Sequence, residues 1–212
     1  MNILIIDDHP LMLSSIKLLV QAQFPSAEIT TVATAINAIA ELAAPNKNWK
    51  LVLADLSIPL KSGDIAKSET GIDMLREIMK LDPDLNLMIY SSSVKVLVQL
   101  KHQIDNHQGG FTIADKALEP SEVQRRMQYA IDGITLTKEI RKGLELKPEW
   151  LSTLQLAAQG LQDKAISEQL NVTERAVRHY WTKLQDVLEV YNDNVNLRVL
   201  TLKKAREAGL ID

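Results

Sequence analysis

The stretch Leu51-Val-Leu-Ala-Asp55-Leu-Ser-Ile-Pro59 constrains the fold more than any other part of the chain. A short apolar run stops at one carboxylate, then enters a loop closed by proline. The run is too short for an ordinary helix and is bounded by a turn signal, so it reads as a buried strand. In a parallel sheet, functional groups gather just past the carboxyl ends of the strands. The N-terminus repeats the pattern in Ile3-Leu-Ile-Ile-Asp7-Asp8-His9-Pro10. Two strands thus bring three carboxylates to one sheet edge. Crowded carboxylates repel unless a cation sits among them, and a hard divalent ion with oxygen ligands suits such a set.

Around these strands, apolar runs alternate with helical patterns. Strands are expected over residues 2–6, 27–32, 51–54, 85–90 and 111–113. Helices are expected over about 10–23, 35–42, 71–81, 94–103 and 120–131. Five strand–helix alternations predict an α/β doubly wound, five-stranded parallel sheet covered on both faces (flavodoxin-like). Residues 1–133 form this first domain and 134–146, polar with scattered aliphatics, read as a linker. Residues 147–212 lack strand patterning and read as an all-α, four-helix domain. Its helices are expected over about 149–159, 162–170, 174–189 and 195–208, with Thr173 and Asn194 as caps of the last two and Gly160 and Gly209 as stops.

Composition narrows the classes. The 212 residues are 46% hydrophobic and include no cysteine, which excludes a disulfide framework and fits a cytoplasmic location. No apolar stretch reaches membrane-spanning length and no basic segment precedes the first apolar run, so neither a membrane partner nor a signal peptide is expected. Residues 1–133 carry 12 basic against 16 acidic side chains, and 134–212 carry 12 against 11. Bulk charge therefore does not mark the helical half as a nucleic-acid binder; only the placement of its charges can.

Two further strand ends complete the acidic set. The fourth strand runs into Ser91, and Lys116 follows the fifth. A carboxylate nucleophile, a metal among carboxylates, a hydroxyl and an ammonium suit transfer of a phosphoryl group to Asp55. Any one of these side chains is ordinary at a strand end, but five at matching ends are not. The combination of Asp7-Asp8, Asp55 with Pro59, Ser91 and Lys116 resembles the receiver domain of two-component response regulators. The resemblance implies Asp55 as phosphoacceptor and Ser91 and Lys116 as phosphoryl-binding groups. It implies Mg2+ on Asp8, Asp55 and the Ser57 carbonyl, with Asp7 acting through water. His9, His102 and His107 have no spaced partners and are not expected to bind metal.

Two departures stand out. Gly63 is at the family's usual distance from Asp55, but the helix pattern resumes at Gly71, so residues 63–70 look inserted, either as a tolerated surface loop or as a lid over the site. The position three before Lys116, where the family commonly has Tyr or Phe, is Ile113, with Phe111 two residues earlier.

The third helix of the C-terminal half has two faces. Val177, Tyr180, Leu184, Val187 and Leu188 form the apolar one. Arg175, Arg178, His179 and Thr182, flanked by Lys183, form the other, and such a face suits the DNA major groove. A solvated charged face is the plainer explanation on composition alone. The spacing of Gln159-Gly160-Leu161, Lys164-Ala-Ile166 and Leu170-Asn-Val-Thr173-Glu-Arg-Ala-Val177-Arg178-His-Tyr180 resembles the LuxR-type helix-turn-helix. With the receiver pattern, the whole chain is similar to NarL/FixJ-type response regulators. That resemblance implies base or groove contacts by Arg178, His179 and Thr182, and phosphate contacts by Lys164, Thr173 and Lys183. It also implies a homodimer on double-stranded DNA through the fourth helix and a sensor histidine kinase as partner. Departures are Trp150, Ala176, Arg178 and Tyr180; Trp150 and Trp181 read as packing residues.

The resulting expectation is a regulator, not an enzyme, whose DNA binding is controlled at Asp55. The alternatives are an atypical receiver with constitutive, phosphorylation-independent DNA binding, and a phosphohydrolase. The latter usually needs a second acid just beyond its nucleophile, which Leu56-Ser57 do not supply.

Overall fold

The computed structural model describes residues 1–45, 47–137, 146–191 and 196–211. The chain divides into two compact units, Met1–Ile140 and Arg141–Asp212.

The first unit holds β1 (Asn2–Ile6), α1 (Pro10–Gln23), β2 (Glu28–Val32), α2 (Ala35–Ala43), β3 (Trp49–Ala54) and α3 (Ser68–Leu81). β4 (Leu87–Tyr90), α4 (Lys101–Asp105), β5 (Phe111–Ala114) and α5 (Pro120–Ile131) follow. The five strands make one sheet in the order β2-β1-β3-β4-β5, every neighbouring pair parallel. The order reverses between β1 and β3, which is where Asp7, Asp8 and Asp55 emerge, and such a switch point leaves a crevice at the carboxyl edge. Ile3, Ile5, Leu51, Leu53 and Met88 pack with Val123 and Met127 on one face of the sheet. The other face is covered in part by α3, whose Ile72, Leu75 and Ile78 are buried. Continuous apolar strands are what a sheet buried on both faces requires.

Three local expectations are corrected. α3 begins at Ser68 rather than Gly71, so residues 68–70 are its first turn and not part of a loop. Gly71 sits inside that helix for a packing reason: a Cβ there would stand 2.0 Å from the Leu56 carbonyl oxygen, so only glycine lets α3 approach the loop after β3. The helix expected over 94–103 is instead a 3-10 helix, Val94–Leu100, followed by the five-residue α4. Val94, Val96, Leu97, Val98 and Leu100 are all buried in it. Lys95 is exposed and Gln99 partly covered, and the other five residues of the segment turn into the fold.

The segment expected as a linker does not leave the first unit at once. Ile134 donates its N–H to Tyr129 O at 2.9 Å, and Leu136 donates to Phe111 O at 2.8 Å. Leu136 pairs with Thr112 as a parallel bridge, so the head of the segment covers the outer edge of β5. Residues 138–145 lie outside the described residues.

The second unit contains α6 (Pro148–Ala158), α7 (Asp163–Gln169), α8 (Glu174–Val187) and α9 (Leu197–Glu207). Pro148 occupies the first turn of α6, where its missing N–H does no harm. Thr173 caps α8 as expected, its Oγ1 accepting from the N–H of Ala176 at 3.2 Å. Asn196 caps α9, accepting from Arg198 and Val199; the expected cap, Asn194, lies outside the described residues. Asn171 turns the chain between α7 and α8 at φ 53°, a left-handed conformation that asparagine tolerates. Leu154, Ile166, Val177, Leu184 and Ala205 form the buried interior.

Candidate functional site

Three of the four strand pairings continue one residue past the strand, and that residue belongs to the acidic site. The N–H of Asp7 donates to Val32 O at 3.2 Å, that of Asp55 to Ile6 O at 2.8 Å, and that of Ser91 to Ala114 O at 3.1 Å. The backbones of three site residues are therefore held by the sheet, and their side chains gain fixed origins. Asp7, Asp55 and Ser91 are buried, at 3%, 4% and 0% exposure.

Buried carboxylates need partners, and these have them. Lys116 Nζ donates to Asp55 Oδ2 at 2.6 Å and to Asp7 Oδ2 at 2.8 Å. Ser91 Oγ donates to Asp55 Oδ1 at 2.6 Å, and the Ser57 N–H donates to the same oxygen at 3.1 Å. The His9 N–H donates to Asp7 Oδ1 at 2.8 Å. Burial pulls the Lys116 ammonium down, but its hydrogen bonds to Asp55 and Asp7 and their charges prevail and hold it above the ordinary lysine value. Burial raises the Tyr90 phenol, opposed by Lys116, whose Nζ stands 5.9 Å from the centre of the tyrosine ring.

Asp8 differs from its neighbours. Its Oδ1 is buried and has no hydrogen-bond partner among the described residues. Asp7, Asp8, His9 and Asp55 each offer one ligand atom within 4.8 Å of the others. An orphaned carboxylate oxygen beside two more carboxylates fits a hard divalent cation. His9, not expected as a ligand, stands inside this group. Asp7 and Asp8 directly precede it in the chain, and only Asp55, past the end of β3, is brought to it by the sheet.

The sheet brings together all six residues expected at this site: Asp7, Asp8, Asp55, Ser57, Ser91 and Lys116. It also shows a residue that sequence reasoning missed. Arg126 of α5 is 1% exposed. It donates through Nη1 to the Ile113 carbonyl and through Nε to Glu122 Oε1 at 2.9 Å, while Thr112 Oγ1 donates to Arg126 O at 3.0 Å. β5, which delivers Lys116, is thus tied to α5 by an arginine in the core. Ile113 itself is fully buried.

The segment after Asp55 folds back on itself. The Lys67 N–H donates to Ile58 O at 3.3 Å, the Asp64 N–H donates to Lys61 O at 3.1 Å, and Gly63 takes φ +90° at the tip. Its first arm is tied to the start of α2, where the N–H groups of Ala35 and Ile36 donate to the carbonyls of Pro59 and Leu60 at 3.0 and 3.2 Å.

In the second unit, Arg175, Arg178, His179 and Thr182 lie exposed on α8, Lys183 is half-buried, and Lys164 and Thr173 are exposed near the starts of α7 and α8. The opposite face buries Val177, Trp181 and Leu184, while Tyr180 and Val187 are only partly covered. Trp181 is a packing residue: its Nε1 donates to Asp163 Oδ1 at 3.1 Å, and the Arg198 guanidinium stacks 4.7 Å from its ring. Arg198 also donates to Asp163 Oδ1 and to Leu161 O, both at 2.6 Å. One arginine thereby joins α9 to α7 and α8, in a cluster no sequence spacing announced.

Together these features define a receiver fold with an acidic site at its sheet edge, followed by a helix-turn-helix unit. No family model matches the chain. The nitrate/nitrite response regulator protein NarL of Escherichia coli (strain K12) is 28% identical over 199 residues, covering 84% of this chain and 84% of its own. RcsB from Salmonella enterica serovar Typhimurium, solved bound to promoter rprA with the phosphomimetic BeF3-, shares the fold at a TM-score of 0.61 and 21% identity, over 97% of this chain and 99% of that one. A second structure, of two RcsB dimers on two parallel DNAs, aligns at a TM-score of 0.58 and 20% identity, over 96% and 98%. The chain is thus similar in sequence to the response regulator NarL and shares its two-unit fold with RcsB.

Proposed function

We propose that the chain is a two-component transcription regulator in which a sensor histidine kinase transfers a phosphoryl group to Asp55 and thereby controls DNA binding by the helix-turn-helix unit. The observation that carries this is the convergence of three other strand ends on one carboxylate: Asp7 after β1, Ser91 after β4 and Lys116 after β5 surround Asp55 after β3. A deprotonated Asp55 oxygen attacks phosphorus and the donor leaves with the bonding pair. Lys116 and the Ser91 hydroxyl turn from Asp55 to the incoming phosphoryl oxygens and neutralise or hydrogen-bond them. Asp8, Asp55 and the Ser57 carbonyl would hold Mg2+, with Asp7 acting through water, and the ion would supply charge neutralisation. The acyl phosphate adds charge at the sheet edge and biases a two-state receiver.

The exposed Arg175, Arg178, His179 and Thr182 on α8 support major-groove recognition, with Lys164, Thr173 and Lys183 on the backbone phosphates. NarL's name as a response regulator and the DNA complexes of RcsB support the same assignment, and the RcsB dimers support a homodimer on DNA. The product is a stored signal rather than a turned-over metabolite, so the chain acts as a regulator and not as a metabolic enzyme. A cytoplasmic location agrees with this role. Among the described residues no helix is long and apolar enough to cross a membrane.

The test is the intact mass of wild type and Asp55→Asn after exposure to Mg2+ and a small-molecule phosphodonor. A phosphoryl adduct on wild type alone is the expected result. The buried Ile113 at the position that usually carries an aromatic switch favours one other reading, constitutive DNA binding by an atypical receiver. Under that reading a kinase-loaded receiver and Asp55→Asn bind promoter DNA equally.

A further inference from the structure

We propose that His9 is a ligand of the acidic site and sets its preference among divalent ions, moving it from magnesium toward nickel, cobalt and zinc. The proposal rests on the receiver reading and adds to it a nitrogen donor.

The geometry is specific. His9 is the residue before the first turn of α1, with extended backbone at φ −92° and ψ 112°, and its imidazole makes no capping bond to the helix. The ring turns the other way, toward the carboxylates. Its Nδ1 lies 2.9 Å from Asp8 Oδ1 and 3.5 Å from Asp7 Oδ1. Despite the short approach, Asp8 Oδ1 has no hydrogen-bond partner among the described residues, so the contact is close without being aligned as a donor–acceptor pair. Adjacent donors on an octahedral ion with bonds of about 2.1 Å stand about 3 Å apart. The His9–Asp8 separation matches that edge, and Asp55 contributes a further oxygen within 4.8 Å.

Lys116 does not compete for the same atoms. It holds the Oδ2 oxygens of Asp7 and Asp55, whereas His9 faces Oδ1 of Asp7 and Oδ1 of Asp8. Ammonium and imidazole therefore sit on opposite oxygens of Asp7, whose Oδ1 also accepts the His9 N–H at 2.8 Å. An all-oxygen set suits magnesium, while imidazole suits zinc, copper and nickel and raises affinity along the first-row series. The His9 side chain is 63% exposed, so it can leave the site for a hydrated magnesium ion and stay for a softer one.

The experiment is calorimetric titration of the full, untagged chain with Mg2+ and separately with Ni2+. It compares wild type, His9→Ala, His9→Gln and Asp8→Asn, with thermal melts confirming that each variant folds. The expected result is that both His9 variants lose Ni2+ affinity by about tenfold or more, with Mg2+ affinity little changed. Asp8→Asn weakens both ions. Unchanged Ni2+ affinity in the His9 variants, alongside Asp8-dependent Mg2+ binding, overturns the role of His9 and leaves the receiver site standing. Mg2+ binding that ignores Asp8→Asn overturns the receiver site and His9 with it.

Discussion

Lys116 Nζ stands 2.6 Å from Asp55 Oδ2, closing an ion pair whose carboxylate is almost wholly buried. The same ammonium reaches Asp7 at 2.8 Å, so one cation balances two buried acids. Removing it leaves both acids without a counter-charge. Lys116→Met is expected to lower stability by about 2–3 kcal/mol, below the 3–5 that a fully buried pair loses, because Lys116 keeps some contact with water. Mg2+ is expected to restore much of the loss, since binding to the folded state alone stabilises it. Urea unfolding of both proteins with and without Mg2+ checks this.

The pH dependence of that stabilisation follows from its sign. The folded-state pKa of Lys116 is raised, so its contribution is fully present below the ordinary lysine value of about 10.4 and is lost as pH rises through the folded value. The stability difference between wild type and Lys116→Met is therefore expected to stay flat from neutrality to moderately alkaline pH and to shrink only beyond it. A difference that shrinks at neutral pH would contradict the ion pair.

Much of this site was legible in the sequence because parallel strands turn chain order into spatial order. An apolar run ending in Asp7-Asp8, another ending in Asp55, then Ser91 and Lys116, each names a strand end, and the sheet brings all the ends to one edge. What stayed hidden depends on contacts between elements. Asp55 reaches His9 only through the pairing of β1 with β3, and Arg126 reads as a surface residue of an amphipathic helix until β5 presents the Ile113 carbonyl to it. The 3-10 helix after Ser93 is not legible because Lys95 and Gln99, the two polar residues among buried aliphatics, stand at α-helical spacing.

Gly71 illustrates a constraint of another kind. With the Leu56 carbonyl oxygen 2.0 Å from where a Cβ would sit, Gly71→Ala must displace α3 or the loop that follows Asp55. Overpacking of this sort costs about 1–3 kcal/mol, and here the obstacle is backbone rather than a side chain that can turn away, which places the expected loss at the upper end. Thermal melts of Gly71→Ala against Gly63→Ala separate the two origins. Gly63 has open space around it, so its cost comes from its positive φ alone.

The folded-back segment after Ile58 is tied to the start of α2 through Pro59 and Leu60, and its tip exposes Ile65 at 79%. That attachment describes a surface loop better than a cover over Asp55. Replacing residues 61–66 with a short glycine-containing turn is expected to leave the rates of phosphoryl gain and loss at Asp55 unchanged. A changed adduct lifetime, read by intact mass over time, would restore the lid.

Arg178 gives the sharpest test of the helix-turn-helix assignment. Its side chain is 64% exposed on α8, and Glu174, one turn back, pairs with it at 3.6 Å. An exposed pair of this type contributes little, so docking against DNA can release Arg178 at small cost. A guanidinium in the major groove reads guanine through two parallel hydrogen bonds, which lysine cannot reproduce. Arg178→Ala is therefore expected to weaken specific binding by about 1–3 kcal/mol and to relax preference at one base position, while Arg178→Lys recovers affinity without recovering preference. Lys183→Ala, at the proposed phosphate contact, is expected to weaken all sequences alike and to reduce the salt dependence of binding by about one ion. Competition binding over a randomised half-site at several salt concentrations distinguishes the two, and a uniform loss for Arg178→Ala would move that residue from the bases to the backbone.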